Sequence, residues 1–270
     1  MNIETMFSEC WAAYSKLNPK VLEMRALLAQ HSSGLLNDHI ALRTLKHSEF
    51  GLGQLCAPFE EIGYEVREHY HFKEKKLEAV HLEHSNIADA PKVFISELLL
   101  EQCSPELQDL ISRALVDRYQ PILDALLPVS GVSWGQPSYS VYQTLLQESE
   151  YAAWFYVFGF VPNHFTVKVN SLSDVDGLND IHVLNAFLED HGYQLNSAGG
   201  KVKGSPEIYL EQSSTLADKV SIQFQEGKYD IPSVFYEFAK RYPLPSGEEF
   251  SGFVEGNANK IFESTNVRNN

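Results

Sequence analysis

One order of elements is written twice along this chain of 270 residues. NDHIALRTL at 37–45 alternates as a strand, FGLGQLCAPFEEIGYEV reads as a helix stopped at Gly63 and handed on to a strand, and LEAVHLEH and KVFISELLL follow as two more strands. In the second half NHFTVKVN takes the place of NDHIALRTL. A helix from about Asp174 runs to HGYQL as the first ran to IGYEV, and IYLEQSSTLADKVSIQF parallels VHLEHSNIADAPKVFIS. Self-similarity at this scale means two copies of one unit that share a core. The expected class is therefore α+β, with two tandem βαβββ modules at 35–103 and 159–245 inside a single functional unit. Met6, Trp11 and Leu17, followed by VLEMRALLAQ, predict a helical lead-in over 1–34. SPELQDLISRALVDRYQPILDALL, opened by a Ser cap, and SYSVYQTLLQESEYAAWFYVFG predict two helices of an insertion over 104–158. The second module carries one strand more, SVFYEFAKRYP, after the turn EGKYDIP, and 246–270 form a C-terminal segment.

The polar residues inside these strands carry the chemistry. Side chains alternate across a strand, so His39, Ala41 and Arg43 share one face, as do His164, Thr166 and Lys168, Tyr209, Glu211 and Ser213, and Ser221, Gln223 and Gln225. A sheet curling around such faces makes a wet, functional cavity. Glu237 stands among Phe235, Tyr236, Phe238 and Ala239, where an unpaired carboxylate costs several kcal/mol. It needs a cation, or an ion pair with Arg241 on the same face. Two histidines at equivalent positions of two repeats, with one carboxylate, have the composition of a 2-His-1-carboxylate site for Fe(II) or another divalent ion. Cys10, Cys56 and Cys103 form no CxxC pair, so a thiolate zinc site and a disulfide framework are both disfavoured.

Several classes drop out. With 36 acidic against 21 basic residues the formal charge is -15, and no Lys/Arg cluster is present to neutralise phosphates, so neither nucleic acid nor an anionic membrane is an expected partner. The apolar runs are too short to span a bilayer, and acidic residues stand near the N-terminus where a signal peptide would be basic, which predicts a cytoplasmic protein. There is no GxSxG elbow and no GxxxxGK[ST] loop. His69, His71, Glu74, His81 and His84 in EHYHFKEKKLEAVHLEH suggest a cupin motif, but the flanking glycines are missing and the charge spacing fits an exposed hairpin. Glu97 in FISELLL is either a counterpart of a ligand or a paired surface carboxylate. Oligomeric state leaves no mark on the sequence.

NDHIALRT, LLQESEYAAWFYVFGFVPNHFTVKVN, KVKGSPEIYLEQSST, IPSVFYEFAKRYP and EGNANKIFESTN together resemble the DUF1338 family of 2-oxoadipate dioxygenase/decarboxylases, within the vicinal oxygen chelate superfamily. VSIQFQEGKYDIPSVFYEFAKR also resembles the C-terminal strand pair of the 4-hydroxyphenylpyruvate dioxygenases. The resemblance implies an incomplete barrel around a metal site with helices outside it, a double-stranded β-helix being the competing architecture. It implies Fe(II) held by His39, His164 and Glu237, a substrate carboxylate on Arg43, and Gln223 as a substrate-side amide. Lys203 in GGKVKGSP is a candidate second anchor or a solvated loop lysine, and Ser213 a candidate substrate contact. The implied reaction takes a small 2-oxo acid and O2, decarboxylates the acid and hydroxylates the same molecule. The alternatives are a glyoxalase-type isomerase or lyase that uses a divalent metal without oxygen, and a non-catalytic module that binds a small acid.

Overall fold

The computed structural model describes residues 1–265; 266–270, the end of the C-terminal segment, lie outside the described residues. Two helices lead in, α1 (Ile3–Leu17), capped by the Asn2 side chain, and α2 (Lys20–Ala29). The first module is β1 (Asn37–Leu45), α3 (Leu52–Glu60), β2 (Tyr64–Phe72), β3 (Leu77–His84) and β4 (Lys92–Leu98). The insertion holds α4 (Pro105–Ala114), α5 (Tyr139–Glu148) and α6 (Glu150–Phe158). The second module is β5 (Pro162–Lys168), α7 (Ile181–Asp190), β6 (Lys203–Ser205), β7 (Leu210–Ser214), a hairpin of β8 (Lys219–Phe224) and β9 (Gly227–Pro232), and β10 (Phe235–Arg241); α8 (Glu255–Ile261) follows.

Eight strands form one curled sheet in the order β2-β3-β4-β1-β5-β10-β7-β6. Each half has the same internal order, β1, β4, β3, β2 and β5, β10, β7, β6 outward from the centre, and the halves join through the antiparallel pair β1·β5. The duplicated α+β half-barrel read from the repeat is thus the fold of this chain, but its third strand is not where the pattern put it. VSIQF does not parallel KVFIS: β8 pairs only with β9, in a separate two-stranded sheet, and β10 takes the place that β4 has in the first module. HGYQL contributes only an isolated bridge at Leu195, and α7 begins at the Asp180 cap rather than near Asp174.

The convex face carries the core. Trp11 and Tyr14 of α1 close over Phe165 of β5, each with ring centroids 5.0 Å away, and the Tyr14 hydroxyl donates to the Phe235 carbonyl at 2.6 Å. The predicted helix over 104–127 stops at Ala114, where Leu115 leaves helical geometry and a 3-10 turn follows at Val116–Arg118; Pro121 then bars any later resumption through its own position. The second predicted helix breaks at Ser149, whose side chain caps α6 at the Ala152 N–H. Every residue from Tyr151 to Phe158 is buried, so α6 is a core helix rather than an amphipathic one. It ends at Gly159 (φ 63°), where a Cβ would lie 2.2 Å from the Gly131 carbonyl oxygen; only glycine fits that turn. Among the described residues no helix is long and apolar enough to cross a membrane.

Replacing Phe165, fully buried between the sheet and α1, by Ala is expected to cost about 3–5 kcal/mol, read as a lowered urea midpoint at unchanged m-value.

Candidate metal centre

The three central strands each supply one ligand. In the ladder, Thr166 of β5 pairs with His39 of β1 on one side and with Glu237 of β10 on the other, and His164 lies two residues back on β5. Directly paired strand residues and their i±2 neighbours share a face, so His39, Thr166, Glu237 and His164 converge on the concave side. One ligand atom from each of His39, His164 and Glu237 lies within 4.8 Å of the others, and this is the only such group of three or more found among the described residues. The His39 Nε2 to Glu237 Oε1 distance is 3.6 Å, and His164 Nε2 to Glu237 Oε2 is 3.2 Å. All three side chains are buried.

Hydrogen bonding leaves the lone pairs facing inward. Asp38 Oδ1 lies 2.7 Å from His39 Nδ1, and Asp38 is itself gripped by Arg241, Nε to Oδ2 at 2.6 Å and a terminal N–H to Oδ1 at 2.9 Å. Burial alone would raise the Asp38 carboxyl, but the Arg241 guanidinium and His39 hold it well below the usual carboxylate range. An ionised carboxylate can only accept, so His39 Nδ1 donates to Asp38 while Nε2 faces the centre, 3.0 Å from the Thr166 hydroxyl oxygen. Nδ1 of His164 lies 3.3 Å from the Asn163 amide oxygen, and burial, then the charges of His39 and Arg43, hold its pKa well below the ordinary value. Burial raises Glu237; His39 and the Gln212 amide, which donates to Oε1 at 2.7 Å, oppose that. Oε2 accepts no hydrogen bond. A buried carboxylate with an orphaned oxygen, facing two imidazole lone pairs, is a donor set that a divalent cation satisfies.

Around this centre the predicted residues sort cleanly. Arg241 does not pair with Glu237; it forks Asp38. Arg43 is buried, 4 residues beyond His39 on β1 and roughly 13 Å along it at the usual rise. Its guanidinium lies 5.0 Å from the ring centres of Tyr151 and Trp154, donates one N–H to the Thr265 hydroxyl at 3.3 Å, and has no acceptor at Nε. It opens into a cavity of about 720 Å³ lined also by Lys75, Glu150, Tyr151 and Phe262. Lys203 is not a solvated loop lysine: it is buried on β6, donating to the Asn196 carbonyl at 2.6 Å, and burial brings its pKa to about 8 against the pull of Glu237.

Two expected contacts lie elsewhere. Gln223 sits exposed on the β8–β9 hairpin and donates to the Phe224 carbonyl; the amide that reaches the centre is that of Gln212. Ser213 faces the other side of β7, donating to Asn185 of α7 at 2.7 Å. Tyr209 takes a left-handed conformation (φ 61°) just before β7, and Gln212 and Ser214, not Glu211 and Ser213, point to the concave side. The LEQSS stretch held that amide all along, one position out of the assumed phase. The cupin-like histidines do not converge: His69 and His71 are exposed, while His81 is buried against Tyr70 and Glu83. Glu97 is no ligand counterpart either. It accepts the Leu52 N–H at the start of α3, and the register places Phe94, two residues beyond the partner of His39, where the second module has Glu237.

A protein-family model described as 2-oxoadipate dioxygenase/decarboxylase matches residues 6–250. A rice protein named 2-oxoadipate dioxygenase/decarboxylase, chloroplastic/amyloplastic, is 35% identical over 285 residues, which is 97% of this chain and 78% of the rice protein. A crystal structure of a hydroxyglutarate synthase from Oryza sativa in complex with 2-oxoadipate superposes with TM-score 0.90 at 34% identity, covering 98% of this chain and 92% of that one. A crystal structure from Shewanella frigidimarina, described as a hydrolase, gives TM-score 0.85 at 44% identity over 94% and 98% of the two chains.

Glu237→Gln gives the metal-free protein a neutral side chain whose amide can donate to the His164 Nε2 lone pair. The metal-free variant is expected to melt higher than wild type by roughly 3–10 °C, from about 1–3 kcal/mol of relieved burial penalty, and to lose the further rise that a divalent ion produces in wild type. Differential scanning calorimetry with and without Co(II) reads both changes.

Proposed function

This chain is a member of the 2-oxoadipate dioxygenase/decarboxylase family, and we propose that it converts a small 2-oxo acid of the 2-oxoadipate type, with O2, into CO2 and a 2-hydroxy acid one carbon shorter, using Fe(II) held by His39, His164 and Glu237. The observation that carries this reading is the state of Arg43. It is a buried guanidinium with no direct ion pair among the described residues, Glu150 being reached through the Thr265 hydroxyl, with one N–H lacking an acceptor, and it lines a cavity on the strand that carries His39. Such a cation is satisfied by an anionic ligand.

Fe(II), when bound by His39, His164 and Glu237, would supply open coordination positions and a redox-active centre through which electrons from the acid reach O2. The protein's own groups do the rest. Glu237 offsets part of the metal charge, while Asp38 and Asn163 hold the two imidazoles with Nε2 inward. Arg43 grips the far carboxylate, fixing how deep the acid sits; the faces of Tyr151 and Trp154 pin the guanidinium so that little freedom is lost on binding. The ammonium of Lys203 adds positive charge on the Glu237 side, as a second anchor for the anionic substrate. Burial of all three ligands keeps bulk water from the reacting carbons.

Anaerobic loading with Fe(II), followed by oxygen-uptake and CO2-release measurements over a panel of 2-oxo acids, tests the assignment. Matched uptake and release with 2-oxoadipate supports it, whereas turnover of any panel member without oxygen consumption places the chemistry with the isomerases. For Arg43→Ala the expected result is unchanged iron affinity, with kcat/KM for the dicarboxylic acid reduced by about 2–4 kcal/mol of transition-state stabilisation. Arg43→Lys recovers only part of that, because an ammonium lacks the planar fork. Loss of iron together with activity in Arg43→Ala would remove Arg43 from the substrate.

A further inference from the structure

The two histidines of the centre are backed by different chemistry. Each follows directly on a polar residue that meets its Nδ1, but in the first module that residue is Asp38, at 2.7 Å and ion-paired with Arg241, and in the second it is Asn163, at 3.3 Å and uncharged. Asp38 does not act alone. Arg241, 4 residues beyond Glu237 on β10, spans across β5 to hold both Asp38 oxygens. Its remaining terminal nitrogen donates to the Phe250 and Gly252 carbonyls at 2.9 and 2.8 Å, and the guanidinium carbon lies 5.3 Å from the Phe253 ring centre. Phe253 in turn stands edge-on to His39, with ring centroids 4.8 Å apart. One buried guanidinium therefore fixes the carboxylate behind His39, the ring beside it and, through its own strand, the separation from Glu237.

We propose that Asp38 and Arg241 form a positioning pair for His39, making it the charge-backed, strongly donating ligand of the centre, while His164, backed by an amide, is the weaker one. This rests on the metal centre of the preceding section and deepens it. A carboxylate behind an imidazole fixes the Nδ1–H tautomer and raises the basicity of Nε2; an amide at longer range does less of both. If the Asp38–Arg241 pair served only to join β1 to β10, removing both charges together would restore a sound protein with an unaltered centre. A positioning pair leaves the centre weakened even when the fold is sound.

Three variants separate these roles: Asp38→Asn, Asn163→Ala, and the charge-free combination Asp38→Asn with Arg241→Gln. Visible-absorption titration with Co(II) reads affinity and ligand field, and the melting temperature of each metal-free protein reports the fold. Asp38→Asn is expected to bind Co(II) about 10–100-fold more weakly, as is usual when the partner of a ligating histidine is removed, with a shifted visible spectrum; Asn163→Ala is expected to lose much less. The combined variant, which also gives up the Arg241 bonds to the Phe250 and Gly252 carbonyls, is expected to fold and to melt somewhat below wild type, while its Co(II) affinity stays low. That variant carries the test even if the unpaired Arg241 left by Asp38→Asn prevents folding. Wild-type Co(II) affinity and spectrum in a folded Asp38→Asn or combined variant would overturn the proposal, as would an equal loss in Asn163→Ala. Failure of the unsubstituted protein to bind Co(II) or Fe(II) would instead remove the metal centre on which it rests, and metal binding without oxidation of any 2-oxo acid would overturn the proposed reaction while leaving this inference standing.

Discussion

Everything in this molecule hangs on the antiparallel ladder between β1 and β5. It is the seam at which two separate βαβββ sheets become one, and it fixes how the two halves of the centre meet. With His39 opposite Thr166, and His164 opposite Ala41, the imidazoles stand on adjacent strands at diagonal positions, with ring centroids 5.5 Å apart. A slip of one residue in that register would turn one histidine to the convex face, into the packing around Trp11 and Tyr14. The aromatic contacts of α1 with Phe165 thus protect the chemistry from behind: they specify which side of β5 is apolar, and with it which side carries His164.

Duplication supplied two equivalent half-sites, and the chain has treated them differently. The second module keeps a carboxylate, Glu237, two residues beyond the strand partner of its histidine; the first has Phe94 at the matching place, packed with Tyr70, Phe72 and Phe253. One half supplies a histidine and an acid, the other a histidine and an aromatic wall. The consequence is a group of three candidate ligands among the described residues, which leaves an octahedral ion open on one face. A fully symmetric pair of modules would have supplied four and left fewer positions open.

Much of this could be read from the chain because the strands around the centre are short, apolar and interrupted by single polar residues. His39, His164 and Glu237 stood out as groups that an apolar strand does not tolerate without a reason, and Arg43 followed by parity from His39. What escaped was set by tertiary context. The β8–β9 hairpin has the same strand-like alternation as β10, and only pairing partners distinguish an inserted ribbon from a sheet strand, so the sequence places Gln223 at the site, whereas the amide that reaches Glu237 is that of Gln212. Glu211 and Ser213 do share a face, but the register with β10 sets Ser213 opposite Phe238 and Ser214 opposite Glu237, and polarity alone does not show which face of β7 looks to the centre. The Asp38–Arg241 pair joins residues 203 positions apart, beyond the reach of any local pattern. Even so, the matching dipeptides Asp38-His39 and Asn163-His164 were a signal in plain view.

The separation of the ligands along the chain also governs how this protein comes to exist. His39, His164 and Glu237 belong to strands that neighbour one another in space but are spread over most of the chain, with the whole helical insertion between the first two. Bringing them together requires closing long loops before any contact repays the entropy, which makes this a slow, late-forming part of the structure. A nascent chain on the ribosome holds His39 long before Glu237 is made, so metal capture cannot guide the early steps of folding. A metal ion bound at this site would act at the end, stabilising only chains whose two modules have already joined in register. Metal supply would then bear on how much finished protein a cell retains, by slowing the return of completed molecules to states that proteases recognise.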